Sequence, residues 1–92
     1  MAKYMELTAS GQIKSRPGQM FGLFIASASG SPTLKVWDSL TASGTVMINT
    51  FTPVAGQTYF FGASAGNIGG VDFTTGCYVT VGGTVDCTVF YD

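Results

Sequence analysis

The closing stretch TGCYVTVGGTVDCTVFYD, residues 75–92, decides the fold class. Along residues 84–91 the alternate positions Val85, Cys87, Val89 and Tyr91 are apolar, while Thr84, Asp86 and Thr88 are polar. That period of two is the signature of a strand with one face on a core and one in water. The preceding run carries the same pattern on Cys77, Val79 and Val81, and Gly82 and Gly83 separate the two runs. The pattern predicts two strands joined as a hairpin. A two-residue Gly-Gly turn would pair Val81 with Thr84 and place the two cysteines on opposite faces. A three-residue loop of Val81, Gly82 and left-handed Gly83 would pair Thr80 with Thr84 and set Cys77 opposite Cys87 on the core face. The second register keeps both apolar sets on one side and is preferred. Cys77 and Cys87 then read either as a cross-strand thiol pair or as two small buried hydrophobes, and the second reading is favoured because a cytoplasmic product keeps its thiols reduced.

Working outward, Val, Ile, Thr, Phe and Tyr recur in short runs broken by Gly, Pro, Ser and Asn, and no stretch shows apolar residues at helical spacing. Candidate strands fall at residues 4–8, 11–15, 19–27, 33–38, 44–51, 57–62, 70–73, 76–81 and 84–91. This predicts an all-β chain: a single small antiparallel β-sandwich or jelly roll of about eight strands. Residues 1–9 form an N-terminal arm or edge strand and residues 10–92 the sandwich. In RPGQ, Pro17 and Gly18 have the chemistry of a type II turn, which would join 11–15 to 19–27 as a hairpin. TPVAGQ places Pro53 and Gly56 around another reversal, and SAGNIGG, residues 64–70, reads as the loosest loop.

Ninety-two residues allow one domain and a modest core. Hydrophobic residues make up 46% of the chain and charged residues only 10%, against roughly 25% charged in an average soluble domain. Too few charges remain to solvate the whole surface, so part of it is expected to be covered by another copy. A bilayer is not the expected cover, because the longest apolar run, MFGLFIA, is far short of a membrane helix. The net charge is −1, and Lys3, Lys14, Arg16 and Lys35 form no concentrated basic stripe, so direct nucleic-acid binding is not expected. The N-terminal MAKYMELTAS shows no secretion signal, and synthesis in a cytoplasm is the expectation.

Chemistry has little to work with. Histidine is absent, which removes the Ser-His-Asp and Cys-His constellations, and two cysteines cannot make a four-ligand zinc site. The carboxylates are Glu6, Asp38, Asp72, Asp86 and Asp92. A pair such as Asp72 and Asp86 has no spacing that favours glycosidase-type catalysis, and solvated surface acids is the better reading. GNIGG lacks the following Lys-Ser or Lys-Thr of a phosphate loop and reads as a turn. The expectation is a protein that is not an enzyme and uses no cofactor or metal.

Apolar character on both faces of single strands is more informative. In QMFGLFIAS one alternate set is Met20, Gly22, Phe24 and Ala26, the other Phe21, Leu23, Ile25 and Ser27, and only one can face a sandwich core. TYFFG poses the same question with Tyr59 and Phe61 against Thr58 and Phe60. Burial of the second face against a neighbouring subunit is the favoured answer over capping by the chain's own loops. Trp37, out of phase with Leu34 and Val36, reads as a half-exposed aromatic, with an interface anchor or a sugar-stacking platform as the functional alternatives.

The succession GQIKSRPGQMFGLFIASASGSPTLKVWDS (11–39), ASGTVMINTFTPVAGQTYF (42–60) and FTTGCYVTVGGTVDCTVFYD (73–92) resembles small β-sandwich virion proteins of tailed bacteriophages. The likeness rests on a Pro-Gly hairpin, an LK.WD strand, an ASGT turn and a terminal GGT.D.TV.Y hairpin. Cys77 and Cys87 depart from it, standing where aliphatic residues are expected, and inherit no role. The resemblance implies capsid decoration: a cement protein on the capsid surface, trimeric, bridging capsomers and binding the major capsid protein. It also implies an oligomer or shell interface around Met20, Phe24, Trp37, Tyr59 and Phe61, with the N-terminal arm reaching toward the shell. A head-to-tail connector or tail component is the alternative within that class, and a carbohydrate-binding module the alternative outside it.

Overall fold

A computed structural model describes residues 3–60, 63–64, 67–68 and 70–92, with side chains described outside 60–69. The chain is all-β and antiparallel. In order, the strands are β1 (Lys3–Leu7), β2 (Gly11–Lys14), β3 (Gly18–Asp38), β4 (Thr45–Phe51), β5 (Thr58–Phe60), β6 (Ala63–Ser64), β7 (Asn67–Ile68), β8 (Val71–Phe73) and β9 (Cys77–Tyr91). Seven of them form one hydrogen-bonded sheet, and β6 and β7 pair separately as a two-stranded ribbon. Phe61 lies outside the described residues, as do positions 65, 66 and 69 of the SAGNIGG loop.

Two strands carry the architecture. β3 runs for 21 residues and β9 for 15, and at about 3.3 Å per residue β3 alone would span about 69 Å if straight. The molecule is 33 × 31 × 20 Å. Both strands therefore bend, and they bend together. Their ladder pairs Ser29 with Thr84, skips, and resumes with Thr33 opposite Gly82. At the skip Gly30 and Ser31 have φ of 65° and 57° on β3, and Gly83 has φ of 69° on β9. Left-handed backbone is cheap for glycine and costly for most other residues, so the corner falls where the small residues are.

The corner divides the sheet into two halves. In one, β1, the second part of β9, the first part of β3, and β5 with β8 lie side by side. In the other the order is β2, the first part of β9, the second part of β3, and β4. Folded together, they enclose a core drawn from both: Met20, Leu23, Ile25, Val85, Cys87 and Val89 from the first half, with Ile13, Leu34, Val36, Cys77 and Val79 from the second. Phe73, in β8, completes it. The ladder of β3 and β9 runs to the last residue, with Gln19 and Asp92 exchanging backbone hydrogen bonds of 3.0 and 2.8 Å.

Three expectations are corrected. The Gly82-Gly83 break does not reverse the chain. Gly83 is left-handed as expected, but it bends one continuous strand, so Cys77 and Cys87 lie on the same strand and are not cross-strand partners. Cys87 faces Ile25 and Leu7 in the ladders, and Cys77 faces Lys14. Likewise RPGQ does not close a hairpin: β2 pairs with β9 rather than β3. Gly18 is not left-handed but begins β3, where a Cβ would run into the Asp92 carbonyl. By contrast, the reversal at TPVAGQ is present, with Gln57 N–H donating to the Val54 carbonyl at 3.2 Å and Gly56 at φ 81°.

The third correction concerns QMFGLFIAS. Neither alternate set faces the core throughout, because the register with β9 shifts between Met20 and Gly22. That bulge switches the phase, burying Met20 before it and Leu23 and Ile25 after it. Met20 is fully buried, so it belongs to the core and offers nothing to a subunit or shell contact.

Candidate functional site

The remaining interface candidates separate. Phe24 stands on the outer face with 37% exposure, between Thr88 of β9 and Thr58 of β5. Tyr59 is half-buried: its ring meets Phe51 edge to face at 5.3 Å, and its hydroxyl accepts the Val54 N–H at 3.2 Å. Its exposed fraction is therefore small and its orientation fixed from within. Trp37 is also half-buried. Its indole N–H donates to Thr80 Oγ1 at 2.9 Å, and the Lys35 ammonium sits 4.3 Å from its ring centroid. One ring face thus carries a cation already, which weakens the site as a sugar-stacking platform.

Asp38, next to it, is committed elsewhere. Its carboxylate accepts N–H bonds from Thr74 at 2.9 Å and Thr75 at 2.8 Å, a longer one from Gly76, and the Thr74 hydroxyl at 3.1 Å. Desolvation would raise its pKa, but these donors outweigh it and hold the carboxyl below its ordinary value. The arrangement clamps the loop that feeds β9. Asp72 accepts from Gln19 Nε2 at 2.8 Å across β8 and β3. Asp72 lies at an open depression lined also by Pro17, Gly18, Gln19, Phe73 and Thr74.

Glu6 on β1 and Asp86 on β9 form the one carboxylate pair with a visible electrostatic effect among the described residues. A hydrogen bond to Asp86, then its charge, then slight desolvation raise the Glu6 pKa above 4.5. For a carboxyl with a raised folded value, stability is lost as pH rises from the unfolded value through the folded one. Glu6→Gln is therefore expected to raise the melting temperature at pH 7. The gain should disappear as the pH falls through the raised Glu6 value and that carboxyl protonates, and thermal melts from pH 7 into acid measure it. Both thiols are free and buried. Burial, then the Asp38 charge, pushes Cys77 up to about 12, while burial and the charges of Asp86 and Glu6 push Cys87 up to about 11. Thiols so protonated are poor nucleophiles. Among the described residues no three His, Cys, Asp or Glu side chains converge as metal ligands.

No family model matches the chain, and no curated protein or solved structure matches it. What function the molecule shows must therefore be read from its surface.

One surface feature was legible in the sequence and was missed: no charged residue occurs between Asp38 and Asp72. That stretch supplies β4 and β5 and the loops beside them. Of the six large hydrophobic residues most exposed among the described ones, four lie in it: Leu40 at 43%, Val46 at 39%, Val54 at 54% and Val71 at 38%. The other two are Tyr4 and Phe24. Among the described residues, apolar side chains left in water are therefore concentrated in the stretch that carries no charge of its own.

Proposed function

We propose that this chain is a structural assembly protein of a bacteriophage virion, acting as a capsid decoration or cement protein. The observation that carries the reading is the charge-free stretch from residue 39 to 71, to which four of the six exposed large hydrophobics among the described residues belong. Apolar residues so exposed suit cover by protein. The resemblance of the sequence to phage virion proteins supplies the particular assembly.

The mechanism is binding. A subunit seated across a joint between capsomers adds buried area where the shell protein alone leaves the contact weak. An oligomer of three copies multiplies that effect, since its second and third contacts form at the high effective concentration set by the first. The partners are further copies of the chain and the major capsid protein, and the place of action is the capsid surface after synthesis in the host cytoplasm. β1, paired on β9 rather than standing free, presents exposed Lys3, Tyr4 and Glu6 at the opposite edge and can contribute a polar contact to the shell.

The test is the copy number of this chain in purified particles, by quantitative mass spectrometry against the major shell protein. Hundreds of copies, at a simple fraction of the shell count, are expected. Six to a few dozen would move the protein to the neck or tail, and absence from particles would overturn the reading.

A further inference from the structure

We infer that the open edge of β4 is a self-association strand, which pairs antiparallel with β4 of a second copy and extends the sheet through a two-fold axis. The inference rests on the reading of the chain as an assembly protein and adds to it a two-fold contact, separate from the contacts that would close a ring of three.

An edge strand exposes a row of unpaired N–H and C=O groups, and folded proteins blunt such edges with charge, brevity or bulges. The four edges of the seven-stranded sheet differ in how they do so. β1 carries exposed Lys3 and Glu6. β2 has four residues, ends in Lys14 and bulges against β9. β5 and β8 have three residues each, and β8 includes the exposed Asp72. β4, TVMINTF, has seven residues, no charge and no proline, and lies at the end of the strand order. Val46 is exposed, and Met47 and Ile48 are half-buried.

Charge and length select the occupant. Pairing β4 with β1, β2 or β8 of another copy would set Glu6, Lys14 or Asp72 against an uncharged strand, and β5 offers only three residues. Pairing it with its own copy sets threonine, valine, isoleucine and asparagine against one another, with no like charges opposed. A strand meeting itself antiparallel gives an isologous, closed contact, and the loops that flank it are uncharged as well. Two register irregularities with β3, either side of Val36, twist β4. They shorten the stretch that a partner can match, so the contact is weak alone and gains strength when several copies are held on one surface.

The experiment compares the wild-type chain with Val46→Lys and Thr50→Lys, each placing a charge on an exposed β4 position. Circular dichroism confirms that each variant folds. Sedimentation equilibrium gives the molar mass, and hydrogen exchange reads the β4 amides at high and low protein concentration. The expected result is a self-associating wild type whose β4 amides lose protection on dilution, with association at least tenfold weaker in both variants. Unchanged association in both lysine variants would overturn the β4 contact while leaving the assembly reading intact. A wild type that stays monomeric at millimolar concentration would overturn the β4 contact as well, whereas the assembly reading falls only if the chain is also absent from purified particles.

Discussion

Gly83→Ala is expected to lower the melting temperature by about 10–25 °C. Two costs add at this position. The backbone is left-handed at φ 69°, which costs a non-glycine residue about 1–2 kcal/mol. A Cβ would also lie 2.6 Å from the Gly30 carbonyl oxygen and 3.0 Å from both the Ser29 oxygen and the Pro32 Cα. These are backbone atoms of the corner on the other long strand and have no side-chain freedom to yield, so overpacking adds about 1–3 kcal/mol. The sum is a large share of the stability of a small domain. Gly56 provides the control. It is left-handed at φ 81° but has nothing within 4 Å of its Cβ position, so Gly56→Ala should show the strain alone and cost about 1–2 kcal/mol. Chemical denaturation of the two variants measures the difference. Equal losses would show that the two corners do not pack on each other as described.

Asp38→Ala is expected to cost about 2–3 kcal/mol, because it leaves several donors of residues 74–76 without their acceptor at once. The loop they belong to leads directly into Cys77 and the buried part of β9. The pH dependence follows from the lowered folded pKa. The contribution is fully present above the ordinary aspartate value of 3.8 and is lost as pH falls through the lower folded one. Asp38→Asn keeps one acceptor oxygen but cannot titrate. Its stability should therefore fall between wild type and Asp38→Ala at pH 7 and converge toward wild type in acid. Urea denaturation at pH 7 and at about pH 3 tests both parts, and a gap that persists undiminished in acid would contradict the assignment.

How far the sequence carried the fold depends on which contacts each feature needs. Alternation along residues 84–91 is local, and it identified the strand and its buried face. The bend at Gly82 and Gly83 is not local. Whether two glycines reverse a chain or kink it depends on what lies opposite, and here Gly30 and Ser31 of β3 do, so a break in both strands became one shared corner. For the same reason two expected strands merged in β3 and two in β9. Gly18 looked like a turn glycine from its proline neighbour, yet its missing Cβ serves the close approach of the Asp92 carbonyl, which no local pattern reveals.

The candidate surface was legible in the same uneven way. Phe24 was identifiable because its strand had too many apolar residues for one face. Met20 was not separable from it, since the bulge that buries one and exposes the other is fixed by the register with β9. The low charge of the whole chain pointed to a covered surface. Its location was written in the charge-free run between Asp38 and Asp72, but only the topology places that run on β4 at the sheet edge.

The most direct test of the account is the molar mass of the purified chain in solution by sedimentation equilibrium, from micromolar to millimolar concentration. Self-association through β4 and the charge-free stretch around it predicts a mass that rises above the 9.6 kDa of one chain to a small whole multiple of it. A mass that stays at 9.6 kDa across the range would contradict the claim that this surface exists to be covered by another copy.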